Sequence, residues 1–198
     1  MDDKYTKLFD SGKWMIRTSD NGKSYQGFPW QPIGEWTIAP DWNDQPECGG
    51  GLHGQNNTAF GFCYIAGQRL ELCETKDTPI AIDGNKVKCH EAKIIAVDED
   101  IPIEFLEAIG LKFKGRPSLN PLTSVGGNLY VHAKANLPAL TSVGGDLHVD
   151  AKADLPALTS VGEDLYVHAK ADLPSLTSVG GVKGRYVHGK FVKEELIK

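Results

Sequence analysis

The chain has 198 residues, of which 40% are hydrophobic, enough for a packed core in one sizeable domain or two small ones and incompatible with wholesale disorder. Its 21 Lys/Arg stand against 26 Asp/Glu, and the resulting net charge of −5 argues against a nucleic-acid binder, which presents a basic stripe. A mimic of DNA is argued against by the repeats themselves, where 3 Lys/Arg against 6 Asp/Glu is too weak a surplus.

The opening stretch, MDDKYTKLFD, has neither a basic n-region nor an apolar h-region, so no secretory signal is expected. No apolar run approaches the roughly 20 residues that span a bilayer, so no membrane partner is expected either. These features predict a cytoplasmic protein whose Cys48, Cys63, Cys73 and Cys89 stay reduced, although their even number would permit two bridges outside the cell.

Residues 1–97 read as a small, irregular α+β or mostly β domain. All four tryptophans (Trp14, Trp30, Trp36 and Trp42) fall before position 43, and Pro29, Pro32, Pro40 and Pro46 break the segment into loops and short strands. FGFCYIAGQRLELCE, from Phe60, reads as a hairpin turning at Gly67, and KVKCHEAKIIAV, from Lys86, as a further strand. Between them, PDWNDQPECGGGLHG sets three glycines between Cys48 and His53, where backbone N–H groups can approach an anion. No Lys-Ser/Thr follows, so this is not a P-loop, and no apolar strand precedes it, so the dinucleotide fingerprint fails.

The order GFPW…PDW…ECGGGLHG…KVK over residues 14–97 resembles an uncharacterised domain found in phage and prophage proteins. Its early Arg17 and Gly-flanked His53 are also loosely similar to ADP-ribosyltransferase-like folds. That likeness implies that Arg17 and His53 hold a nicotinamide dinucleotide, with Glu71, Glu74 and Glu91 competing as the catalytic carboxylate; with the glycine-rich stretch, the candidate ligand loop is Arg17, Cys48, Gly50 and His53. Cys48 and His53 admit a thiolate–imidazole reading and, with Cys89 and His90, a zinc reading. The first lacks an orienting third residue, and the second lacks the usual ligand spacing. No catalytic residue, cofactor or metal is therefore assigned.

Residues 98–116 read as a capping helix and linker. Asp100 can cap the helix, Pro102 suits its first turn, Phe105, Leu106 and Ile109 form its apolar face, and Gly110 ends it.

Residues 117–181 repeat with a period of 18, marked by Thr123, Thr141, Thr159 and Thr177. That is too short for paired helices but fits two short strands and two corners, so the prediction is a parallel β-solenoid of about four 18-residue rungs. Leu129, Val131, Ala133, Leu137, Leu140 and Val143 would point inward, and Gly126, Gly144, Gly162 and Gly180 would supply a turn with positive φ. Pro138, Pro156 and Pro174 sit at the opposite corner. LPALTSVGGDLYV resembles the right-handed coils of receptor L domains and their leucine-rich relatives, which implies the right-handed sense.

Three outward columns follow: Tyr130, His148, Tyr166; then His132, Asp150, His168; then Lys134, Lys152, Lys170. They read either as a docking face or as a soluble surface on which rings pack and lysines keep water close. His132 and His168 lie two rungs, about 10 Å, apart and cannot share one metal ion. Residues 182–198 read as a C-terminal cap, with two residues inserted before Tyr186 and a charged strand or short helix to finish.

The leading expectation is a non-enzymatic interaction protein of a phage or mobile element. It would dock these columns on a large host protein or complex and inhibit a bacterial defence assembly by steric occlusion. The alternatives are the ADP-ribosyltransferase-like nucleotide-using enzyme and a plain structural or accessory protein.

Overall fold

The computed structural model describes residues 1–20, 22–24, 27–56, 64–65, 69–83, 86–113, 122–131, 136–149, 153–168, 171, 173–187 and 190–194. The protein is mostly β with two α-helices, and its sheets are antiparallel or mixed. Among the described residues, no helix is long and apolar enough to cross a membrane.

Helix α1 (Asp3–Ser11) was not foreseen. The Asp2 side chain accepts the Tyr5 amide at its start, and Gly12, at φ 67°, closes it in the left-handed region. Next come β1 (Trp14–Ser19), β2 (Trp36–Ile38), β3 (Leu52–Gln55), β4 (Tyr64–Ile65), β5 (Arg69–Thr75), β6 (Ile80–Asp83), β7 (Lys86–Cys89) and β8 (Glu91–Val97). All except β4 build one antiparallel sheet in the order β2-β8-β5-β1-β3-β7-β6. The single strand expected from Lys86 is thus two, parted at His90, because β7 pairs with β3 and β6 while β8 pairs with β5 and β2.

Among the described residues, β4 and β5 do not pair with each other as the expected hairpin requires. β4 instead pairs in parallel with β11 (Leu129–Val131), setting Tyr64 beside Tyr130 and Ile65 beside Val131. β5 is already paired on both edges, by β8 and by β1, so β4 takes the open edge of β11. Gly67 itself lies outside the described residues.

A 3₁₀ turn, Asp98–Asp100, leads to α2 (Ile103–Ala108). Asp100 does not cap this helix: it belongs to the turn, and Pro102 takes the cap position without a side-chain bond. β9 (Leu111–Phe113) then lies antiparallel against β10 (Leu122–Val125).

The repeats form two further sheets. One corner strand per repeat, β10, β12 (Ser142–Val143), β14 (Ser160–Val161) and β16 (Ser178–Val179), makes a parallel ladder in which residue i faces i+18. The second ladder runs through β11, β13 (Leu147–Val149), β15 (Leu165–His168) and β17 (Lys183–Val187), again in parallel with an 18-residue register. Antiparallel β9 and β18 (Lys190–Glu194) make these sheets mixed rather than uniformly parallel, and both sit at sheet edges. The insertion expected before Tyr186 is absent: Gly184 faces Tyr166 and Tyr186 faces His168, since backbone register, not letter matching, sets the alignment.

The inward residues expected from the period are buried, among them Leu129, Val131, Leu137, Leu140 and Val143; Ala133 lies outside the described residues. Each Pro corner is a tight turn, closed for example by the Leu140 amide on Leu137 O at 3.2 Å, with Pro138 fixing the second position. The glycine column has a different cause from the one expected. Gly126, Gly144, Gly162 and Gly180 are not among the positive-φ residues. A Cβ on Gly144, Gly162 or Gly180 would instead lie closer than 3.0 Å to the carbonyl oxygen of the glycine one rung earlier. Stacking leaves no room for a side chain there.

One apolar cluster runs without a break from Trp14, Ile16, Leu70 and Leu72 through Phe105 and Leu106 into the repeats as far as Val179. Trp14 joins the parts: its ring stacks on Phe9 at 5.5 Å and meets Phe105 edge-on at 4.9 Å. A second cluster, including Met15, Leu52, Cys73 and Ile94, backs the remainder of the seven-stranded sheet.

Candidate functional site

Two places hold the residues singled out from sequence. The first is the outer face of the β11–β13–β15 ladder. The side chains of Tyr130, His148 and Tyr166 stack ring on ring, with centroids 4.2 and 4.3 Å apart and planes inclined by 12° and 20°. The spacing follows from the 18-residue register, because parallel strands set equivalent residues about 4.8 Å apart. The Tyr166 hydroxyl donates to Asp164 Oδ2 at 2.9 Å, which fixes that end of the column. Tyr130, at the other end, is 39% exposed. His168 lies exposed at the end of β15. His132, Lys134, Asp150, Lys152 and Lys170 lie outside the described residues, so the second and third columns are not placed beyond His168.

Below the rings runs an acceptor ladder that sequence reading missed. Asn128 Oδ1 accepts the Asp146 amide at 2.9 Å, Asp146 Oδ1 the Asp164 amide at 2.9 Å, and Asp164 Oδ1 the Val182 amide at 2.7 Å. Each side chain thereby occupies a backbone donor of the next rung. The signal was present: the first three repeats carry Asn or Asp two residues before the ring.

The second place is a cavity of about 750 Å³ in the N-terminal part, and Arg17, Cys48, Gly50 and His53 all line it. Trp30, Phe28, Asp41 and Lys86 complete much of the wall and were not picked out from sequence. β1 supplies Arg17, and β3 supplies His53 just after the glycine loop. That loop needs glycine: residues 49, 50 and 51 have φ of 110°, 54° and 123°, and a Cβ on Gly50 would collide with Asn43 and the Asp41 carbonyl. Its position is held by fully buried Lys88, whose Nζ donates to Asn43 Oδ1 at 2.8 Å and Gly49 O at 3.2 Å.

Arg17 is only 4% exposed. Its guanidinium lies 3.9 Å from the Trp30 ring centroid, and Nη1 is 3.2 Å from Glu71 Oε2. Glu71 is fully buried and also takes Ser19 Oγ at 2.6 Å and Arg69 Nε at 2.7 Å. Burial pushes the Arg17 pKa down, with Glu71 opposing that shift. His53 is held below its ordinary value by burial and then by Lys86 and Lys88. It is therefore neutral at neutral pH.

The enzyme readings find little here. Cys48 Sγ is 3.0 Å from Lys86 Nζ, while the ring of His53 is engaged with the Gly51 backbone, so no thiolate–imidazole pair forms. Of the three glutamates expected to compete, Glu71 is committed to Arg17 and Arg69, Glu74 to Lys93 and Glu91 to Lys76. None of the three lines the cavity. In the zinc set, His90 stacks on Trp42 at 5.5 Å and Cys89 is buried in the second apolar cluster. Comparison with family models, curated proteins and solved structures gives no match to this chain.

Proposed function

We propose that this protein is a non-enzymatic docking protein. Its repeats are read as a right-handed parallel β-solenoid of about four 18-residue rungs, carried on the N-terminal α+β part and closed at its two ends. The partner is a large protein or complex of the host cell, and the phage-like wording of residues 14–97 makes inhibition of a bacterial defence complex by occlusion the working reading.

The observation that supports this most is the stacked column Tyr130–His148–Tyr166. Rings already stacked lose little freedom when a partner covers them, so more of their contact energy is available for affinity. Tyrosine is also enriched where interfaces concentrate their binding energy. A stable complex needs a total buried area of roughly 1,200–2,000 Å², more than the column alone supplies, so neighbouring rungs must contribute.

The test is capture of partners from bacterial lysate by wild type and by a Tyr130→Ser/His148→Ser/Tyr166→Ser variant with a cooperative melt. The proposal expects one protein held stoichiometrically by wild type and lost from the variant. Equal capture by both would remove the column from the reading. A captured protein bearing a new covalent modification would favour the transferase alternative instead.

A further inference from the structure

The cavity over Arg17 is not used by the docking reading, and its polar groups are left in an unusual state. Arg17 is buried, yet neither terminal guanidinium nitrogen has a hydrogen-bond partner, and the 3.2 Å contact with Glu71 is ionic without hydrogen-bond geometry. Glu71 meanwhile serves two guanidinium groups, since Arg69 pairs with the same carboxylate. Buried donors without partners are rare and costly, and a guanidinium presents five of them in a planar fork suited to a carboxylate or phosphate. The Trp30 ring centroid lies 3.9 Å from the central carbon of that fork.

His53, which lines the same cavity, contributes a second unpartnered group. Its Nε2 is buried without a hydrogen bond, and the Gly51 backbone interacts with the ring. A neutral imidazole that donates through Nδ1 keeps Nε2 as an acceptor. A volume of about 750 Å³ falls within the range that encloses small organic ligands, and Phe28 and Trp30 offer it flat apolar walls.

We propose that this cavity binds a small organic anion, a carboxylate or a phosphate ester, which fills the Arg17 fork and gives a hydroxyl or amino hydrogen to His53 Nε2. The ligand's flat part lies along Trp30 and Phe28. No covalent step is involved, and Lys86, beside Cys48 at the rim, adds attraction for the negative charge.

Titration calorimetry on the full chain tests this with 4-hydroxybenzoate and adenosine 5′-monophosphate. Their uncharged counterparts, 4-hydroxybenzamide and adenosine, are run alongside. At least one anion is expected to bind with a dissociation constant of about a millimolar or tighter, and its uncharged counterpart at least about tenfold more weakly. Which anion binds separates the carboxylate from the phosphate source. Arg17→Met is expected to abolish binding; if that variant fails to fold because Glu71 is left buried, His53→Ala decides, with an expected loss of about tenfold. The proposal is overturned if neither anion binds, if charged and uncharged members bind equally, or if folded His53→Ala retains wild-type affinity.

Discussion

Replacing Asp146 with alanine removes the acceptor for the Asp164 amide, now 2.9 Å from Asp146 Oδ1. The donor sits part-buried between two rungs, so losing this side-chain partner costs about 1–3 kcal/mol. In a domain of this size each kcal/mol moves the melting temperature by about 2–4 °C, so a fall of roughly 2–12 °C is expected. Asp146→Asn keeps Oδ1 and should stay within about 0.5 kcal/mol of wild type, since Asn128 fills the equivalent place one rung earlier. Thermal unfolding followed by far-ultraviolet circular dichroism reads both variants. If alanine is tolerated, or if asparagine is as harmful as alanine, the side-chain ladder does not hold the rungs.

Gly162→Ala is expected to cost about 1–3 kcal/mol in chemical denaturation, because its Cβ meets the Gly144 carbonyl, while exposed Glu163→Ala next to it should be near neutral. The lowered His53 pKa has a definite sign: below about pH 6.5 the unfolded chain takes up a proton that the folded chain resists, so stability falls as pH drops. Melting temperature against pH should therefore show a downward slope on acidification that His53→Ala flattens, and parallel curves would contradict the assignment. Burial pushes the Cys89 thiol up to about 12 and Cys73 well above its usual value. Iodoacetamide at pH 8 should then modify exposed Cys48 first and reach Cys73 and Cys89 only on unfolding, as peptide mapping would show.

The repeat was legible because a fixed period states the same burial pattern several times. Leu129, Leu147 and Leu165 are each fully buried, and each is followed two residues later by a buried valine. The glycine column was legible as a constraint but not in its cause, since a forbidden Cβ and a positive φ leave the same letter. The pairing of β4 with β11 was hidden for another reason: Phe60 to Glu74 alternates like a hairpin, and local alternation does not say which distant edge will take a strand. Asp2 and Gly12 carried the start and stop of α1 in plain view, but helix signals separated by nine residues carry little weight before the packing of Phe9 on Trp14 is known. At the cavity, the sequence offered Arg17, Cys48, Gly50 and His53; Lys86 joins them only through the pairing of β7 with β3, and Trp30 through a loop whose amide bonds back to Gly22 O.

The account rests on equivalent residues of successive 18-residue units lying side by side in one stack. Deleting residues 141–158 removes one whole unit and joins Leu140 to Thr159, leaving Tyr130 next to Tyr166. Melting of this shortened chain is the direct measurement. A single cooperative transition is expected, whereas deleting only residues 141–149 should abolish it. Loss of cooperative folding on removing the full unit, or equal behaviour of the two deletions, would contradict the stacked arrangement and the docking column built on it.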